Sequence, residues 1–265
     1  MRRDSHGSLN PACRALLAVV AALAVVPAAG GTLPCPESRP MLPLLAGTRW
    51  VYRGMVVSTV GGEYSDAHVV RGVRTRTMDV RTVEYEAGTT VALVEGFPAE
   101  LDWYEDERPR EKYVVVAREH RGFRLVDDGD ECEFDRWRES CLGPLSPEKT
   151  SFMLPGILRV GRTFGGERSA RHRPDKWYRW HVEEARCVQL RGVSGIDPAR
   201  QWREYRIGYR TNPAHVLVYF VPGLGITRYV YRHHGTPAST DVRLIEFGRS
   251  RVSAGRVGVA RRAPR

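Results

Sequence analysis

Lysine is almost missing from this chain: only Lys112, Lys149 and Lys176 stand beside 38 arginines. Lysine would serve as well at most solvated positions, so the imbalance reads as a coding bias rather than a binding signal. Unbalanced charge is also scarce in the body, although the formal net charge is +10. Residues 249–265 hold six arginines and no acid, and residues 1–30 hold three arginines against Asp4. That leaves 32 basic and 30 acidic residues in 31–248, a nearly neutral body. A nucleic-acid binder concentrates its cations on a folded face, so no nucleic-acid partner is expected. The basic excess lies instead on a Gly/Ala/Ser-rich tail without periodicity, which reads as disordered.

Long apolar runs are missing but for one, which excludes a multi-pass helical membrane protein. Ala15–Val26 is an unbroken run of 12 apolar residues behind Arg2, Arg3 and Arg14. As a helix it would measure about 18 Å, short of the roughly 30 Å hydrocarbon core. Small residues follow it, with Ala28 and Gly30 placed at −3 and −1 for cleavage after Gly30. Residues 1–30 therefore read as a signal peptide, leaving no transmembrane segment in the mature chain. Cys35 is preceded by Thr32-Leu33-Pro34 rather than a Leu-Ala-Gly-like lipobox, so lipid anchoring is not expected. The expected address is the periplasm, the cell surface or the medium.

Cysteine is sparse too. Once Cys13 leaves with the leader, Cys35, Cys132, Cys141 and Cys187 remain, enough for two disulfides in an oxidising compartment. Three connectivities exist. Cys132 and Cys141 bracket a short polar segment and form the natural local pair, with Cys35 then pinning the mature N-terminus near Cys187. No CxxC, HxH or HExxH occurs, so neither a metal site nor a cofactor is expected. The acidic cluster Asp127, Asp128, Asp130, Glu131, Glu133 and Asp135 puts Cys132 where a calcium loop needs an oxygen donor, and reads as a solvated hairpin tip. Gly192-Val193-Ser194-Gly195 is one residue short of a nucleophile elbow. No catalytic residue emerges.

What is present is β-pattern. Tyr205, Ile207 and Tyr209 alternate with polar residues, as do Tyr178, Trp180 and Val182. Val114–Val116 and Val216–Val221 are continuous runs, expected as strands covered on both faces. Ala87-Gly88, Arg121-Gly122 and Asp128-Gly129 supply hairpin turns. Only 98–104 suggests a helical turn or two. The expected fold is all-β and antiparallel, a half-open barrel or sandwich with few short helices.

Leu44-x-x-Gly47-x-x-Trp50 and Leu158-x-x-Gly161-x-x-Phe164 share one form, each after a proline and each leading into a strand. The glycine permits a tight turn and the aromatic plugs the core at the strand's start. The spacing suggests two similar halves, 42–150 and 151–248, within a body of 31–248.

With Tyr52 and the segment Tyr219–Gly225, these motifs resemble a loose group of exported bacterial β-proteins of the TapB-like type. That resemblance implies a fold akin to the half-open barrels of lipoprotein carriers, and it implies no chemistry. Aromatic supply is the remaining clue: Trp177, Trp180, Tyr219, Tyr229 and Tyr231 fall on three expected strands and are the candidate ligand-binding residues. The expected function is that of an exported non-enzymatic protein holding an apolar or amphipathic, lipid-like ligand, or an envelope partner, in a concave sheet. The alternatives are a secreted hydrolase with an unrecognised site and a structural surface protein.

Overall fold

Hairpin turns and period-two alternation fix the architecture strand by strand. The computed structural model describes residues 35, 42–60, 68–102, 109–118, 120–129, 132–143, 150–166 and 175–249. The expected leader (1–30) and all of the expected tail but Arg249 lie outside the described residues; Arg249 itself pairs with Thr48. Twelve antiparallel strands are β1 (Thr48–Val60), β2 (His68–Glu86), β3 (Thr89–Glu95), β4 (Lys112–Arg118), β5 (Gly122–Asp127) and β6 (Thr150–Pro155), then β7 (Thr163–Phe164), β8 (Trp180–Gln189), β9 (Gln201–Arg210), β10 (Ala214–Val221), β11 (Gly225–His233) and β12 (Ser239–Arg249). The Ala87-Gly88 turn between β2 and β3 has φ of 47° and 76°, the doubly positive geometry of a two-residue hairpin.

All twelve belong to one sheet, ordered β6-β5-β4-β3-β2-β1-β12-β11-β10-β9-β8-β7. The chain thus makes two six-strand meanders, joined through the β1–β12 ladder. The meanders divide between Pro155 and Thr163, so a boundary at 150/151 falls inside β6. No ladder joins the terminal strands β6 and β7, yet their ends meet through side chains. Phe152 of β6 stacks edge-on against Trp180 of β8 at 5.1 Å, and Met153 packs against Gly165 just beyond β7. The sheet is therefore an almost closed barrel with a seam.

Both copies of the shared motif open their meander with the same geometry. Gly47 (φ 83°) donates its N–H to Val80 O on β2 at 2.8 Å, and Gly161 (φ 88°) donates to Val182 O on β8 at 2.9 Å. Trp50 faces Met78, and Phe164 faces Trp180. In each neighbouring strand the register shifts just past that valine, between Val80 and Thr82 and between Val182 and Glu184.

The main core lies inside the curl and draws on every strand but β7's Thr163 side, with Trp50, Tyr52, Phe152, Phe220 and Ile207 essentially free of solvent. A second, smaller layer covers the outside of β3–β5. There the β5–β6 excursion, with a 3-10 turn (Phe134–Arg136) and the four-residue helix α1 (Trp137–Ser140), packs Phe134 and Trp137 onto Val91, Val114, Val116 and Val126. Val114–Val116 is therefore covered on both faces, as expected. Val216–Val221 is not: Val218 and Phe220 are buried, but Leu217 and Tyr219 on the outer face are only half-buried because no excursion lies over them. Within the expected solvated tip of 127–135, Asp127 and Asp135 are exposed, Asp130 and Glu131 lie outside the described residues, and the Asp128 carboxylate accepts the Phe134 N–H at 2.9 Å to seat the turn.

Both expected disulfides form, Cys132–Cys141 and Cys35–Cys187. Their spans differ, 9 against 152 residues. In the chain-entropy picture the long loop contributes about 5 kcal/mol and the short one about 3 kcal/mol. The expected 98–104 turn appears as a 3-10 helix, Pro98–Leu101, whose Glu100 carboxylate caps the Phe97 N–H at 2.6 Å. Among the described residues no helix is long and apolar enough to cross a membrane.

Candidate functional site

The five aromatic candidates do not converge. Trp180, Tyr229 and Tyr231 are buried in the core, packed by the sheet itself. Trp177 is not on a strand: residues 175–179 form a turn, Tyr178 has φ 59°, and β8 begins only at Trp180. Tyr219 lies on the outer face between two cations, with the Arg186 and Arg228 guanidinium carbons 5.6 and 5.3 Å from its ring centre. Both arginines are committed to carboxylates, Arg186 to Glu204 at 2.8 Å and Arg228 to Asp241 at 2.6 Å. A tyrosine- and tryptophan-lined groove on the concave face is absent among the described residues, because large side chains fill that face. The residual cavity between Leu44, Trp50, Phe97 and Phe152 is about 10 Å³, at the threshold for a single water.

One polar cluster is sealed in this interior. Asp102, just past the 3-10 helix, accepts the Tyr229 hydroxyl at 2.6 Å, and its other oxygen, Oδ1, has no hydrogen-bond partner. Burial raises the Asp102 carboxyl to about 8, against the Tyr229 hydrogen bond that favours its charge. Burial likewise raises Glu100 to about 7, opposed by Arg76, whose Nη2 lies 3.2 Å away. Neither the cavity beside Trp50 nor the space at the seam is lined by Glu100 or Asp102. Thr240 Oγ1 donates to Leu101 O at 3.0 Å, adding a second tie between the first meander and β12.

Space of useful size occurs at the seam. A cavity of about 460 Å³ extends across β4, β5, β6 and the start of β7, with the end of the β5–β6 excursion as one wall. Its volume falls within the roughly 300–1,000 Å³ typical of small-molecule sites. Phe123, Met153, Leu154 and Phe164 give it an apolar floor, and Leu142 adds an exposed apolar side chain. Four arginines also line it: Arg118, Arg121, Arg124 and Arg162. Among the described residues the lining includes no aspartate or glutamate.

The local chain explains why this space exists. Gly165 and Gly166 follow Phe164 with φ of 61° and 78°, a conformation that stops β7 after two residues. Neither glycine can carry a side chain there: a Cβ on Gly166 would lie 1.8 Å from Tyr178 O, and one on Gly165 would lie 2.9 Å from Met153 Sδ. With β7 so short, β6 keeps an outer edge without a ladder partner among the described residues, and the Arg-bearing β4–β5 turn stands beside the gap. Nothing in the sequence marked these arginines, four among 38 and spread from position 118 to 162.

No group of three or more His, Cys, Asp or Glu side chains among the described residues could hold a metal. No family model and no curated protein matches the chain. Two solved structures resemble it distantly. One, from Bacteroides fragilis and described as an exported protein with a YmcC-like fold, is 8% identical with a TM-score of 0.38, covering 80% of this chain and 100% of its own. The other, described as a lipoprotein from Parabacteroides distasonis, is 10% identical with a TM-score of 0.31 over the same shares of the two chains.

Proposed function

We propose that this is an exported, non-enzymatic β-protein that holds an amphipathic small molecule in its seam cavity. One observation carries the reading: the core cavity beside Trp50 and Phe97 offers about 10 Å³, whereas the seam offers about 460 Å³ that combines an apolar floor with a cationic lining. The leader-like residues 1–30 and the two disulfides support an oxidising destination.

Titration with decyl amphiphiles below their micelle concentrations tests the reading. Saturable one-to-one binding is expected, and Gly143→Trp should abolish it. Gly143 lines the cavity, and a Cβ placed on it meets nothing within 4 Å, so an indole there adds bulk at the cavity wall without displacing backbone. Absence of saturable binding, or equal binding by Gly143→Trp, would remove the ligand-holding role. Intact-mass measurement of the protein from its own host tests export: residues 1–30 should be gone and the four remaining cysteines oxidised.

A further inference from the structure

We infer that the seam cavity selects an anionic amphiphile, with a phosphate, sulfate or carboxylate head held by the arginines and an aliphatic tail over Phe123 and Phe164. The inference rests on the ligand-holding role proposed above and adds the chemical class of the occupant.

Placement of charge is the first argument. Elsewhere in the sheet several arginines meet acids: Arg49 and Arg110 share Asp79, Arg206 reaches Glu183 and Glu184, and Arg228 takes Asp241. At the seam two of the four are held differently. Arg118 Nη2 donates to Leu142 O at 2.6 Å, and Arg162 Nη1 donates to Ile157 O at 2.7 Å. A backbone carbonyl fixes a guanidinium without cancelling its charge. Each guanidinium has five N–H donors in a planar fork, so the remaining donors stay free to meet a tetrahedral or planar oxyanion.

Mutual repulsion is the second. Burial, and then the neighbouring Arg118 charge, lower the Arg124 pKa below its ordinary value. An anionic head entering beside this pair is attracted by both guanidinium groups, whereas a neutral head is not and a cationic head is repelled.

The apolar half completes the class. Phe123 and Phe164 are buried, and Met153 stands between the two ends of the sheet. Met153 is half-buried in the lining, and the opposite wall exposes Leu142. A small inorganic anion would use the arginines and leave this apolar surface wet. A tail of several methylenes covers it, at about 0.8 kcal/mol for each CH₂ removed from water.

Calorimetric titration of the full mature chain with decyl phosphate, decanol, decyltrimethylammonium and inorganic phosphate tests this. Decyl phosphate should bind at least about tenfold tighter than decanol, a difference of about 1.4 kcal/mol. Its affinity should fall as ionic strength rises, and decyltrimethylammonium should bind weakest. Arg162→Gln, at an exposed position outside the core, should remove most of the preference for phosphate over decanol while leaving decanol binding in place. Equal affinity for decyl phosphate and decanol overturns the anionic class and leaves the amphiphile reading standing. Equal affinity for inorganic and decyl phosphate supports the arginine clamp but removes the tail. No binding by any probe overturns both readings.

Discussion

The two meanders open alike and then diverge. In each, a buried leucine precedes a positive-φ glycine that donates to a valine carbonyl on the next strand, and an aromatic three residues on enters the core. After Trp50 the chain continues for ten more residues of β1, paired with β2 on one side and β12 on the other. After Phe164 it stops, because Gly165-Gly166 adopts a backbone that no strand can continue. The same opening therefore builds the centre of the sheet in one half and its frayed end in the other. The difference teaches where this barrel leaves free space: at an interrupted strand.

The largest expected effect separates the two aromatics. Trp50 is fully buried, stacks against Phe247 at 5.8 Å and donates its indole N–H to Leu224 O at 2.6 Å. Trp50→Ala should cost about 3–5 kcal/mol in urea unfolding, whereas Phe164→Ala, beside an open cavity whose walls can relax, should cost about 2 kcal/mol. Equal losses would mean that the seam is packed as tightly as the centre, which would break the comparison.

Next in size is a pH effect at the opposite junction, where the meanders are tied through Asp102 rather than parted. An unfolded aspartate ionises near 4. In the fold Asp102 ionises at about 8, chiefly because of burial. Between those values the unfolded chain binds fewer protons than the folded one, so stability falls as pH rises from about 4 to about 8. Glu100, raised to about 7 by burial, adds a drop in the same direction. Thermal melts should show a melting temperature several degrees lower at pH 8 than at pH 5, and Asp102→Asn should flatten most of that slope. A melting temperature that rises over this interval would show that both carboxylates are stabilised as anions.

Much of the sheet was legible in sequence because period-two alternation reports a one-sided core directly: Tyr205, Ile207 and Tyr209 face inward as their spacing requires. The glycine of each motif announced its turn for the same local reason. Alternation says which face a side chain takes but not whether that face closes on itself, so Tyr229 and Tyr231 could be read as lining a groove when they fill the core. The start of β8 was misplaced because nothing in Trp177-Tyr178 signals the positive φ that Tyr178 adopts. The seam arginines were hidden for a topological reason. Curling a twelve-strand sheet brings β4, β5 and the β6–β7 loop together, and no spacing between positions 118 and 162 encodes that. Asp102 was hidden because Glu100-Leu101-Asp102 looks like an exposed charged turn until Tyr229, 127 residues later, covers it.

The smallest expected effect tests whether the shared opening works through backbone alone. Gly161 has φ 88°, and a Cβ placed there meets nothing within 4 Å, so Gly161→Ala adds no steric contact and costs only the left-handed backbone penalty, about 1–2 kcal/mol. Gly47 shares the conformation at φ 83° and the same hydrogen bond into the next strand. If backbone geometry is all the motif supplies, Gly47→Ala and Gly161→Ala should lower stability by the same amount within error, despite the unequal strands that follow. Hydrogen exchange should sharpen the result. Gly161→Ala should speed exchange at β7 and the adjoining end of β8, where the seam opens, while Gly47→Ala should act on β1 and β2 together. A much larger loss at Gly47 would instead assign part of the turn's stability to the long ladder beyond it, and the two halves would then share a sequence pattern without sharing its energetics.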